Sequence, residues 1–350
     1  MEIFWYSAVT LMLAVYVVLD GYDFGVGMVY PFVARTDEER RLTMAAIGPF
    51  WSGNEVWLVA AGAVLFLAFP KAYAAPGFSG FYLALIIVLW LLMGRGLAIE
   101  LRTHLDHPLW RQFWDTVFAA TSTLLAIVFG ASLGNLIRGV PLNAEGYFFV
   151  PLWTDLLPGP EPGILDWFTL LLALTSAVLI PMHGANYLAM KTTGELQSRA
   201  RRLARLGAVA AVPLVMLVLL ALSRVQPSYR VNYDVHPIGY GFPLMALVGL
   251  VVLIGLRVRD RDAAAFGASS VFLLGLLGGT AWGSYPNILI ATGDPGHSLT
   301  VTNASAGVYG LEAAWWWFTI GLTIVILYQF YIHHLFWGPV KSEPGDSSAH

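Results

Sequence analysis

Nine stretches of about 20 apolar residues govern what this 350-residue chain can become. In lipid, every backbone polar group must be satisfied within its own segment or within a closed barrel, and stretches of this length do so as helices. The approximate limits are 4 to 30, 46 to 69, 77 to 101, 113 to 137, 164 to 189, 203 to 222, 240 to 256, 263 to 283 and 312 to 337. An all-α integral membrane protein is therefore expected. Only 12% of the residues are charged and 57% are hydrophobic, against about 25% charged in ordinary soluble chains. Cysteine is absent, which excludes disulfides, thiolate metal sites, Cys-ligated iron–sulfur clusters and cysteine nucleophiles. A net charge of -3 argues against a nucleic-acid partner. Met1 is followed at once by "EIFWYSAVT", without a basic n-region, so the first span is expected to serve as the insertion signal.

Basic residues set the orientation. Fifteen of the nineteen Lys and Arg, Arg95 among them, fall to connections on one side, and the other four are Lys71, Arg138, Arg224 and Arg230. By the positive-inside rule the N-terminus lies outside and the C-terminus in the cytoplasm, which an odd number of spans requires. "FWY" at Phe4 to Tyr6, "WWW" at Trp315 to Trp317 and Trp337 fall at helix ends and read as interfacial anchors. The short polar motifs "DGYD" (Asp20 to Asp23) and "HGAN" (His183 to Asn186) sit at similar depths of spans one and five, a faint echo that suggests two parallel four-helix repeats. The expected organisation is a first bundle over 1–137, an outer loop over 138–163, a second bundle over 164–283, an outer loop over 284–311, a ninth helix over 312–340 and a polar tail over 341–350.

The ionisable residues inside these spans are the chemically informative ones. At 1.5 Å per residue, Asp20 lies roughly 24 Å from the outer end of span one, and Glu55 roughly 13 Å from the inner start of span two. Glu100 and Asp115 belong to the inner ends of spans three and four, with Arg95 one to two turns above Glu100. Asn54, Arg95, His183 and Asn186 are polar groups that could support such acids. Asp20, Asp23, Glu100 and Asp115 can be read simply as helix-end caps and ion pairs, for instance Arg95 with Glu100. Glu55 resists that reading, because a mid-membrane acid must be neutral, paired or facing water. A chain of such groups from the cytoplasmic side is a plausible proton path.

Of eight histidines only His183 lies well inside a span, and no second buried histidine faces it, so the chain by itself is expected to bind no haem. His104 and His107 of "HLDH" read as solvated loop residues. No metal site, phosphate-binding glycine loop, Ser/His/Asp triad or HExxH is present.

Seven segments, in order, become specific together: "DGYDFGVGM", "ARTDEERR", "IGPFWSGNEVWL", "FSGFYLAL", "RGLAIELR", "WDTVFAATS" and "HGANYLAMKTTGEL". The chain closely resembles subunit II of the cytochrome bd quinol oxidases over nearly its whole length. The resemblance implies a complex of the bacterial inner membrane that oxidises quinol and reduces oxygen to water. Subunit I would carry the b-type haems, with or without haem d, and pair with this chain as a heterodimer. It leaves open a small accessory subunit and a structural quinone. Subunit II is expected to supply a proton passage, on which Asp20 and Asp23 would line or brace the inner mouth. One departure stands out: Ser52 occupies the place where the family motif has Asp between Trp and Gly. The expected route therefore runs past Glu100 and Ser52 to Glu55 as the buried relay, with Asp20 or Asp23 modulating the entrance and Asp115 counted among the pathway acids. A proton-coupled transporter and a purely structural subunit are the rival readings.

Overall fold

In the computed structural model, which describes residues 1–340, the chain is almost entirely helical. The expected tail, 341–350, lies outside the described residues. The helices are α1 (Glu2–Val33), α2 (Asp37–Ile47), α3 (Trp51–Ala68), α4 (Pro70–Gly77), α5 (Tyr82–Leu101), α6 (Pro108–Arg138), α7 (Trp167–Lys191), α8 (Gly194–Val225), α9 (Tyr229–Val235), α10 (Gly241–Val258), α11 (Asp262–Ser284) and α12 (Val308–Leu335). Among the described residues nine helical segments are long and apolar enough to cross a membrane, matching the nine expected spans. α2, α4 and α9 are short and lie in the connections.

The limits of several spans move for identifiable reasons. Span two does not begin at residue 46. α2 ends at Ile47, a turn runs through Gly48 and Pro49, and α3 starts at Trp51, because proline removes a helical donor and crowds the preceding turn. Glu55 is therefore only four residues, about 6 Å, from the start of its helix. α8 starts at Gly194 and not near 203, since its first turns carry the polar segment that emerges from the apolar band. α2 is fixed by a capping box in which Thr36 and Glu39 satisfy each other's backbone N–H groups. α7 opens with the same device from Asp166 and Thr169, and Asp166 is also the ion-pair partner of buried Arg138.

The two ends of the bundle differ in construction. At one end the expected outer loops pack on each other. A two-stranded antiparallel ladder joins β1 (Asn287–Leu289) to β2 (Leu299–Thr300), and Val140 bridges to Ala291. Trp5, Phe69, Phe148 and Leu299 fill the space beneath. The opposite end is rich in arginine. There Arg199 of α8 pairs with Glu39 of α2, Arg201 and Arg257 share Asp262, and Lys191 donates to the carbonyls of Phe336 and Gly338 just beyond α12.

At the centre α1 crosses α7 almost backbone to backbone. A Cβ built on Gly25 would lie 2.2 Å from the carbonyl oxygen of Ile180, and one on Gly184 would lie 2.2 Å from the carbonyl carbon of Gly25. Only glycine fits both positions. The "DGYD" and "HGAN" motifs thus meet at one level, where the rings of Tyr22 and Tyr187 stack at 3.9 Å.

Candidate functional site

Beside that crossing, on the α3 and α5 side of α1, lies a charged cluster with no access to solvent at its heart. Arg95 of α5 is completely buried and donates from Nη1 to Asp20 Oδ1 at 2.6 Å. Its Nη2 reaches Glu55 Oε2 at 3.4 Å, and its guanidinium lies 4.4 Å from the ring centroid of Phe24. Asp23, one turn along from Asp20, is held by Asn54 Nδ2 on its Oδ2 at 2.9 Å, and the same amide donates to Tyr22 Oη at 2.7 Å. Asp20 and Asp23 are both 0% exposed, whereas the Glu55 side chain keeps 22% of its surface. One cation thus joins a sealed acid to one that reaches the outside of the bundle.

A second cluster sits nearer the arginine-rich end and centres on Asp115 of α6. Its carboxylate accepts from Arg102 Nε at 2.5 Å, from Arg40 Nη1 at 2.8 Å and from the Tyr30 hydroxyl. Arg102 continues to Asp37 at 2.9 Å, and Arg111 reaches the same acid at 3.2 Å. Burial pulls Asp37 upward, but the bonds and charges of Arg102, Arg111 and Arg41 outweigh it and hold its carboxyl below the usual range. Glu39 is likewise lowered: burial opposes, while the Arg35 backbone N–H and Arg199 prevail.

Between the clusters, α1 carries a narrow stripe. Tyr16, Asp20, Asp23, Gly27 and Tyr30 follow one another at alternating steps of four and three residues, which keeps them on one face. Gly27 leaves room for Ser122 of α6, whose Oγ occupies the space where a Cβ would be and has no hydrogen-bond partner. From Asp23 to Tyr30 is seven residues, roughly 10 Å, with Ser122 between them.

The structure brings Asp20, Asp23, Asn54, Glu55 and Arg95 together and sets Asp115 at the neighbouring cluster. It leaves two expected site residues out. Glu100 is exposed and its carboxylate makes no ion pair; Arg95 pairs with Asp20 and Glu55, because five residues of helix turn it to the opposite side from Glu100. Ser52 is also exposed, since it lies two residues, about 200° of helical turn, from Asn54, the residue that α3 buries against α1. Arg95 itself is not a loop residue: it lies about 9 Å inside α5, so it leaves the set of orienting charges. Asp20 and Asp23 are too deeply enclosed to form a mouth.

His183 and Asn186 face the other side of the crossing. His183 Nε2–H donates to the Val18 carbonyl at 2.9 Å, its Nδ1 meets Ser269 Oγ at 2.7 Å, and its ring stacks on Phe266 at 5.0 Å. Asn186 donates to the Met182 carbonyl within its own helix. Residues that sequence reasoning missed are Tyr16, Tyr22, Tyr30, Arg40, Arg102 and Ser122.

Comparison with known proteins places this arrangement. The profile of the family described as cytochrome bd terminal oxidase subunit II matches residues 1–336. Cytochrome bd-I ubiquinol oxidase subunit 2 of Escherichia coli is 30% identical, over 99% of this chain and 97% of its own length. Cytochrome bd ubiquinol oxidase subunit 2 of Bacillus subtilis is 30% identical over 88% of this chain and 87% of its own. A chain in the solved structure of the bd oxidase from Geobacillus thermodenitrificans has the same fold, with a TM-score of 0.74 at 20% identity, covering 96% of this chain and 98% of that one. The chain belongs to the cytochrome bd terminal oxidase subunit II family.

Proposed function

We propose that this chain is the haem-free, proton-admitting subunit of a bd-type quinol:oxygen oxidoreductase in the bacterial inner membrane, paired with a haem-bearing subunit I. The relatives named as ubiquinol oxidase subunits support the complex and its chemistry. Reducing oxygen to water consumes protons at a buried site, so a path must lead them there. In this reading the arginine-rich end faces the cytoplasm, as its share of the basic residues favours. Protons enter near Asp115 and Tyr30, pass Ser122 to the Asp23 and Asp20 pair, and leave through Glu55 toward subunit I. The observation that carries it is Arg95, which links sealed Asp20 to partly open Glu55 and so couples the charge of one to that of the other.

A haem-free role fits the histidines. Both ring nitrogens of His183 already face polar partners inside a packed helix contact, which leaves no lone pair directed at an iron. A structural quinone and a small accessory subunit are compatible with this reading but carry none of it.

The test is the purified two-subunit complex with haem content as the measure of assembly. Glu55→Gln should retain its haem and slow both oxygen consumption and proton uptake by about tenfold or more, the range of a lost proton-transfer group. Ser52→Ala should leave both rates unchanged, because that exposed side chain lies off the route. A fully assembled Glu55→Gln complex turning over at the unmodified rate would leave Glu55 a packing residue and the chain a structural subunit.

A further inference from the structure

Asp20 and Asp23 have a charge balance that the proposed passage does not by itself explain. Two fully buried acids stand against one fully buried cation, and Arg95 touches only one of them, at Asp20 Oδ1. Asn54 covers Asp23 Oδ2. The two oxygens left over, Asp20 Oδ2 and Asp23 Oδ1, have no donor and no surface that a water-sized probe reaches. A water molecule therefore has no room to satisfy them. Asp20 and Asp23 are three residues apart on α1 and so share one face of that helix.

The surroundings add no second cation. α3 presents Asn54 and Glu55, α5 presents Arg95, and α7 presents Tyr187, stacked on Tyr22, and His183, engaged with Val18 and Ser269. From α6, Asp115 is occupied by Arg102 and Arg40, and Arg138 by Asp166. α2, α11 and the first turns of α8 place their charged groups at the arginine-rich end, in pairs such as Arg199 with Glu39 and Arg201 with Asp262, and the remaining Arg224 lies in the last turn of α8 at the opposite end. Two adjacent carboxylates sharing one cation in a low-dielectric interior cannot both stay ionised.

We infer that Asp20 and Asp23 hold a single proton between them, Asp20 as the carboxylate bound to Arg95 and Asp23 as the carboxylic acid that donates to it. This deepens the proton-passage reading and rests on it for its functional meaning: the pair is a loaded store. Moving the proton from Asp23 Oδ1 to Asp20 Oδ2 breaks one O–H bond and forms another, with the total charge unchanged. Asp23 is then the carboxylate, stabilised by Asn54, and Arg95 is released toward Glu55. The two acids act as one titrating unit.

Infrared spectroscopy of the assembled two-subunit complex reads this directly. The native complex at neutral pH should show the C=O stretch of a protonated, water-excluded carboxyl. The band should shift on labelling aspartate carboxyls with heavy carbon, disappear in Asp23→Asn and persist in Glu55→Gln. Asp23→Asn should also assemble, because its amide supplies a permanent donor to Asp20. Asp20→Asn removes the carboxylate from Arg95 and should lower the yield of complex about tenfold or more, as expected for an uncompensated buried charge. If aspartate labelling shifts only carboxylate bands, the shared proton is refuted without recourse to any variant. Loss of carboxylate signal alone in Asp23→Asn would refute it equally. Normal turnover in Glu55→Gln would refute the passage and leave the band in place, so the two failures are distinct.

Discussion

On one side of the α1 and α7 crossing lies an arginine held by two acids; on the other, a histidine held by a carbonyl and a serine. Arg95, Asp20 and Glu55 share formal charge across three helices, while His183, Val18 and Ser269 join α1, α7 and α11 with neutral hydrogen bonds. Both sets sit at the same level and both tie α1 to its neighbours. The neutral set leaves the histidine nitrogens satisfied and therefore has no reason to move. The charged set leaves Asp20, Asp23, Arg95 and Tyr16 each with an unpaired buried atom. On the neutral side Asn186 Oδ1 is the corresponding unpaired atom, so the contrast lies in formal charge: unpaired carboxylate oxygens are far costlier to bury than a neutral amide oxygen.

The sharpest way to break the contrast is to remove the arginine. Arg95→Gln strands Asp20 in the interior, at a cost of about 3–5 kcal/mol, and should all but abolish recovery of the complex, as measured by haem yield after purification. His183→Gln should cost much less, about 1–2 kcal/mol, because an amide can still donate to Val18; a lowered melting midpoint with normal turnover would show it. Loss of turnover in well-assembled His183→Gln would collapse the distinction between the two sides.

An intermediate effect is expected at the second cluster. Asp115→Asn leaves Arg102 with Asp37 and deprives Arg40 of its partner, so stability should fall by about 1–3 kcal/mol, with slower proton uptake at matched haem content. Uptake unchanged in a stable Asp115→Asn complex would move the entry elsewhere. The smallest changes belong to the exposed pair: Glu100→Gln and Ser52→Ala should each alter stability by less than about 0.5 kcal/mol, checked by thermal melting.

A pH experiment sharpens the same comparison at the arginine-rich end. The folded-state carboxyls of Asp37 and Glu39 lie below their ordinary values of 3.8 and 4.5. Groups depressed in this way contribute stability above the unfolded value, and it is lost as pH falls through the folded one. Protection of the α2 amides, measured against their intrinsic exchange rates, should therefore be high near neutrality and fall below about pH 4. Equal protection on both sides of that range would assign the docking of α2 to its apolar contacts alone.

The spans were legible because hydropathy over about 20 residues is a strong signal, and the acids were legible because charge inside such a span is rare. What escaped was pairing across helices. Nothing local indicates whether Arg95 turns toward Glu100 on its own helix or toward Asp20 on another; the rotation of α5 against α1 decides it. The stripe Tyr16, Asp20, Asp23, Gly27, Tyr30 was readable in principle, since its four-three spacing marks one helix face. It passes unnoticed when charged residues alone are inspected, because two of its members are tyrosines and one is a glycine. The break before Trp51 was equally visible in Gly48 and Pro49, and recognising it would have moved Glu55 into the first turns of its helix.

The last helix is fastened in an unusual order. α12 is almost wholly exposed, but Lys191 holds the carbonyls that follow it, and Val340 N–H donates to the Lys191 carbonyl at 2.8 Å. The two partners are 145 residues apart in the chain. A ribosome delivering the protein from its N-terminus thus makes the ammonium long before it makes the groups that receive it. Closure waits until Phe336 and Gly338 have been made, and until then the ammonium stands over the ring of Phe50 as an open clasp.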